Sequence, residues 1–148
     1  VPQPTYPAAM WLNSRFVVAH PDERIPVPKH AYDHFLDYEG ELVIITSKTA
    51  KNVSLADAHK YILGYTVGND LTARVWHAPE RSSIQLGYSK GFDNFAPMGP
   101  SLISHEAYKA SASKHLKTWV NGDLVQDASV EEMVFNAEEI VSFLSQGS

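Results

Sequence analysis

The chain has 148 residues, 12 basic against 17 acidic, and a formal charge of −5, so it lacks the clustered Lys and Arg of a nucleic-acid surface. Its longest apolar runs fall far short of the roughly 20 residues that span a bilayer, which excludes a membrane helix. Zero cysteines rules out disulfides and thiolate metal sites and suits an intracellular protein.

Taken in chain order, residues 1–30 read as a proline-rich, irregular lead-in, with Pro2, Pro4, Pro7, Pro21, Pro26 and Pro28. Val1-Pro2-Gln3-Pro4 has neither the basic nor the apolar region of a secretion signal, so a cytoplasmic or mitochondrial location is expected. Arg15–Val18 and Ile25–Val27 are expected as extended edge pieces, since proline cannot donate to a central ladder. A strand is predicted from Leu36 to Thr46. Ser54, with Asp57 three residues later, is a helix N-cap for a short helix to Leu63 with Leu55, Ala58 and Ile62 as its apolar stripe. Gly64 is expected to end that helix, and Tyr65–Val67 forms the next strand, leading into Asn69-Asp70.

Residues 76–89 read as a polar loop, a candidate lid. Asn121-Gly122 between Leu116–Val120 and Asp123–Gln126 is a hairpin signal, because both turn positions tolerate positive φ. Asn136 with Glu139 opens a final helix whose Ala137, Ile140, Val141 and Leu144 share a face, and Gly147 suits its end. Strands mixed with short helices, without repeats or a dividing linker, indicate a single α+β domain over 1–148.

The chemistry centres on Tyr38-Glu39-Gly40-Glu41-Leu42. In one continuous strand Glu39 and Glu41 share a face, followed by Val43 and Ile45, with Leu42 and Ile44 on the other. Two carboxylates at the border of an interior conflict unless a cation joins them or one is protonated. With Asp70 they would make a three-carboxylate set of hard donors, suited to Mg²⁺, Mn²⁺ or Ca²⁺ rather than Zn²⁺. A short E-x-E pair also fits a solvated strand edge, and a lone Asp70 a turn, so residue types alone leave both open.

Four motifs in order narrow the choice. Asp37–Leu42, Gly64–Arg74 (Gly-Tyr-Thr-Val-Gly-Asn-Asp-Leu-Thr-Ala-Arg) and Lys90–Pro100 (Lys-Gly-Phe-Asp-Asn-Phe-Ala-Pro-Met-Gly-Pro) precede Trp119-Val120-Asn121-Gly122-Asp123 with Gln126. From about Pro26 onward this series resembles the fumarylacetoacetate hydrolase family. The resemblance implies a mixed β-roll of the family's C-terminal domain type, usually a homodimer, with Mg²⁺ or Mn²⁺ held by Glu39, Glu41 and Asp70. It implies Lys90 as the catalytic residue facing substrate, and Arg74 lining the same pocket. The implied substrate is a small 2-oxo acid, the implied reaction C–C hydrolysis of an acylpyruvate type or decarboxylation of oxaloacetate. An isomerase or dehydratase, or a silent binding module that keeps the fold core, remains as an alternative.

Three departures accompany the resemblance. Arg74-Val75-Trp76-His77 replaces a segment in which relatives place a glutamine that often touches substrate, so His77 is taken as a substrate-binding residue. Nothing before Glu39 matches the family's N-Y-x-x-H-x-x-E segment, and the chain stops at Leu144-Ser145-Gln146-Gly147-Ser148, so truncation at both ends is expected. Asp93, Pro97, Gly99 and Pro100 are expected to build the turn that presents Lys90. Tyr65 and Trp119 read as core aromatics. His20, His30, His34, His59, His105 and His115 read as ordinary surface or helix residues.

Overall fold

The computed structural model describes residues 3–7, 14–32, 35–83 and 85–147; Pro2 and His34 lie outside the described residues. Within them the chain runs β1 (Val18–Ala19), α1 (Lys29–Tyr32), β2 (Leu36–Asp37), β3 (Gly40–Thr46), β4 (Ile62–Asn69), β5 (Thr72–Ala73), α2 (Pro79–Ser82) and α3 (Gly87–Lys90). It continues through β6 (Ala96–Pro97), β7 (Ile103–Ser104), α4 (His105–Ala110), β8 (His115–Val120), β9 (Asp123–Ser129) and α5 (Ala137–Leu144). 3₁₀ segments lie at Arg15–Val17, Leu55–Tyr61, Arg74–His77 and Val130–Glu132. The α+β mixture matches the sequence expectation. These elements group into two compact units, the first Val1–Ala9, Leu42–Thr66 and Leu102–Ser148, the second Met10–Glu41 and Val67–Ser101.

In the first unit, strand order β3-β4-β7 places Gly64 opposite Ser104 and Tyr65 opposite Ile103, antiparallel. This corrects Gly64 from helix end to strand interior. A Cβ there would collide with the carbonyl oxygen of Ile103, so glycine is required by a close approach of backbone rather than by a turn. Ser54 caps as expected, accepting from the Asp57 amide at 3.2 Å, but the element it opens is a 3₁₀ helix that ends at Tyr61. The Tyr61 carbonyl accepts from the Ser47 amide at 2.8 Å, which draws the chain into strand geometry at Ile62. Leu55, predicted on the apolar stripe, is exposed.

The other local signals of this unit hold. Asn136 and Glu139 form a reciprocal capping box at α5, and Ala137 and Val141 pack with Val53, Ala58, Ile62 and Tyr65 into one core. Asn121 and Gly122 both take positive φ between β8 and β9. One assignment fails: Trp119 is 57 % exposed on the hairpin. His105 is a helix residue, the first of α4, and it is buried, stacked on Tyr65 and 3.0 Å from its hydroxyl.

In the second unit, β1 pairs parallel with β6 and β2 pairs antiparallel with β5, Leu36 facing Ala73 and Asp37 facing Thr72. The predicted strand over 36–46 is two pieces separated by Tyr38 and Glu39. Arg15–Val17 is a 3₁₀ turn capped by Ser14, and Ile25 and Val27 belong to no strand but pack on the core of Ala31, Ala73 and Phe95. Residues 76–89 are no open loop: they carry the last residues of a 3₁₀ turn, α2 and most of α3. Trp76, Tyr88, Phe92 and Phe95 form a chain of ring contacts at 4.9, 5.2 and 5.0 Å, which supports α3 from below.

Candidate metal and substrate site

The two acidic motifs of the second unit are joined through backbone. The Glu39 amide donates to Asn69 Oδ1 at 3.0 Å, and the Asp70 amide donates to the Glu39 carbonyl at 2.9 Å. This reciprocal pair pulls Glu39 out of the strand and sets it beside Asp70. The convergence of Glu39 and Glu41 therefore comes from long-range pairing, not from the simple alternation expected of an unbroken strand. Carboxylate oxygens of Glu39, Glu41 and Asp70 all lie within 4.8 Å of one another.

Lys90 ends α3 and is 2 % exposed. Its Nζ donates to Glu39 Oε2 at 2.9 Å and to Thr72 Oγ1 at 3.0 Å, and makes a further close ion pair with Asp70 Oδ2. An ammonium buried this deeply needs such partners. Arg74 closes the other side, with Nε on Asp37 Oδ2 at 2.8 Å and Nη2 on Glu39 Oε1 at 2.5 Å. Its Nη1 lies 3.5 Å from His77 Nδ1, and His77 Nε2 is 2.8 Å from Ser89 Oγ. The structure thus brings together all six residues singled out from the sequence.

Three participants escaped the sequence. Asp37 opens the E-x-E motif and Thr72 lies between Asp70 and Arg74 at strand spacing, so the period-two pattern Asp70, Thr72, Arg74 carried a usable signal. Ser89 carried none.

The electrostatics are unequal across the carboxylates. Burial pushes Glu39 upward, but the hydrogen bond and charge of Lys90, with Arg74 and Thr72, outweigh it and hold Glu39 below its usual range. Burial raises Asp70 and wins over Lys90. Burial, then the charges of Asp70 and Glu39, raises Glu41. Burial and the cations Arg74 and Lys90 lower His77, which favours its neutral form. Four carboxylates (Asp37, Glu39, Glu41, Asp70) against two cations leave an excess of two negative charges when all are ionised. Among the described residues no hydrogen bond reaches the Glu41 carboxylate. Oxygen-only donors, a two-charge excess and a carboxylate that no hydrogen bond reaches among the described residues fit a hard divalent cation.

A cavity of about 370 Å³ in the first unit, lined by Tyr65, Tyr108, Lys109, Lys114 and Glu138 among others, lacks this character. Lys109 is paired with Glu138 at 2.8 Å, Lys114 donates to the Ser111 carbonyl at 3.0 Å, and Tyr65 meets His105. Lys109, Lys114 and Tyr65 are thus already partnered within the protein.

Comparison with known proteins agrees with the motif series. The chain is 42% identical over 119 residues to a fumarylacetoacetate hydrolase domain-containing protein 2 homolog of Dictyostelium discoideum, covering 75% of this chain and 39% of that protein. It is 32% identical over 129 residues to the mitochondrial oxaloacetate tautomerase fahd2 of Xenopus laevis, covering 87% and 40%. The crystal structure of 2-hydroxyhepta-2,4-diene-1,7-dioate isomerase from Mycobacterium marinum superposes with a TM-score of 0.79 at 33% identity, covering 95% of this chain and 54% of that one. The chain therefore spans about two-fifths of the curated relatives it matches. Among the described residues, no helix is long and apolar enough to cross a membrane. The fumarylacetoacetate (FAA) hydrolase C-terminal family model matches residues 1–148, and the chain belongs to that family, with its α+β fold.

Proposed function

We propose that the second unit forms the cation-and-substrate centre of an enzyme that interconverts keto and enol forms of a small 2-oxo acid of the oxaloacetate type. The observation that carries this is the convergence of Glu39, Glu41 and Asp70 around a buried Lys90. Glu39, Glu41 and Asp70 would hold Mg²⁺ or Mn²⁺, with Ca²⁺ as a further hard ion. The cation, when bound, supplies Lewis-acid polarisation of a substrate keto oxygen.

The chain's own groups do the rest. Glu39 and Asp70 accept from Lys90 and aim its Nζ at one place. There the Lys90 ammonium gives its proton to the substrate carbon, and the amine left behind takes up the proton that the enol oxygen releases as the carbonyl forms. The lysine returns to the ammonium, so the proton count closes at Nζ without a water. Arg74, charged and fixed by Asp37, borders the same side for the substrate carboxylate, with His77 beside its guanidinium.

C–C hydrolysis or decarboxylation of a related 2-oxo acid is the second possibility, supported by the hydrolase family itself and by the enolate that both reactions share. A homodimer belongs to the same proposal, as does a mitochondrial location by likeness to the Xenopus laevis relative. The test is the decay of the enol absorbance of oxaloacetate with Mg²⁺ or Mn²⁺, with pyruvate formation followed in the same sample. Acceleration that disappears in Lys90→Met supports the tautomerase. Pyruvate formation in step with the decay would replace it by C–C cleavage, and no acceleration of either would sink both.

A further inference from the structure

The hydrogen-bond inventory around Ser89 determines which ring nitrogen of His77 carries the proton. Ser89 is fully buried, and its Oγ donates its single proton to the Leu86 carbonyl at 2.6 Å. The hydroxyl can therefore only accept from His77 Nε2, 2.8 Å away. A neutral His77 then has its lone pair on Nδ1, facing Nη1 of Arg74 at 3.5 Å. Both nitrogens of the imidazole are engaged by protein groups.

The two ends of this link lead to different parts of the site. Ser89 precedes Lys90 on α3, whose ammonium reaches Glu39 and Asp70. Arg74 grips Asp37 and Glu39. The imidazole thus ties the helix that carries the ammonium to the guanidinium that orients a carboxylate.

We propose that His77 and Ser89 form a clasp that positions Lys90 and Arg74, so that His77 acts through them as a positioning residue. The proposal rests on the function given above only for its kinetic arm. His77→Leu removes donor and acceptor together, Ser89→Ala removes the acceptor, and His77→Gln keeps one of each.

Two measurements on the full chain need no turnover. Ring ¹⁵N–¹H correlation spectra should give His77 as the Nε2–H tautomer; a proton on Nδ1 alone would overturn the clasp. Acylation of Lys90 by an amine reagent, read by mass spectrometry, should quicken about tenfold in His77→Leu and in Ser89→Ala as α3 opens more often. An unchanged labelling rate in both variants would also overturn it.

In kinetics with Mn²⁺, His77→Leu and Ser89→Ala should each lower kcat about 10- to 100-fold with little change in KM, the usual cost of losing an outer partner at such a site. The double variant should be no worse than the weaker single one, and His77→Gln should recover most of the turnover lost in His77→Leu. Wild-type kcat in both single variants alongside a lower Tm would reduce the pair to a packing contact. Failure of the enol assay in the wild type would reject the proposed function while the tautomer and labelling results still decide the clasp.

Discussion

The two units solve the problem of buried polarity in opposite ways. In the first, the core of Val53, Ala58, Ile62, Tyr65, Ala137 and Val141 is apolar apart from one hydroxyl, and that hydroxyl meets His105. Beside that core the largely buried Glu138 is paired with Lys109 at 2.8 Å. In the second, the apolar core of Ala31, Ala73 and Phe95 lies under a cluster whose carboxylates outnumber its cations. A balanced interior can be explained by folding alone. An interior that carries surplus like charge costs stability, and the surplus is intelligible as a place held for a cation.

The largest expected effect that would break this contrast is at Lys90. Lys90→Met leaves Glu39 and Asp70 without their shared donor, and kcat should fall about 10²- to 10³-fold with KM little changed, as for loss of one preorganised charge-stabilising donor. Steady-state kinetics on oxaloacetate decide it; a loss confined to KM would make Lys90 a binding residue. Next come Glu41→Ala and Asp70→Ala, each removing one of three anionic donors. Each should weaken Mn²⁺ at least about tenfold in a calorimetric titration, and the rise in Tm that Mn²⁺ gives the wild type should shrink with it.

Smaller effects sharpen the comparison from the other side. Ile62→Val in the first core should cost about 0.5–1.5 kcal/mol in urea unfolding and leave Mn²⁺ affinity unchanged. A shift in Mn²⁺ affinity there would mean that the units are not chemically separate.

The smallest effect is on pH. Glu41 and Asp70 are held above the usual carboxylate range, so the folded chain keeps protons that the unfolded chain has lost. Without metal, stability should therefore fall as pH rises from the usual carboxylate range through their raised values. Glu39 has the opposite sign: its contribution is present above the usual range and is lost as pH falls through its depressed value. Thermal midpoints across that window, with and without saturating Mn²⁺, should show the rising-pH loss only in the metal-free chain.

What the sequence revealed follows the range of the interactions. Asn121-Gly122 and the Asn136–Glu139 box were legible because turn and cap chemistry involves residues two or three apart. The identities of Glu39, Glu41, Asp70, Arg74, His77 and Lys90 came from motif order, and the structure gathers them. Their geometry did not come with them. The break at Tyr38-Glu39 depends on Asn69 and Asp70, some 30 positions away, and local alternation could not announce it. Gly64 looked like a helix end because the carbonyl that requires it belongs to Ile103. Trp119 is misplaced for the same reason: its exposure is decided by what lies remote in sequence. Ser89 has no local signature at all.

The most direct test of a cation centre confined to the second unit is a Mn²⁺ titration followed by electron paramagnetic resonance, comparing wild type, Glu41→Ala, Asp70→Ala and Tyr65→Phe. Saturable binding that survives Tyr65→Phe and weakens at least about tenfold in the two carboxylate variants is the expected result. Equal Mn²⁺ affinity in wild type, Glu41→Ala and Asp70→Ala would contradict it.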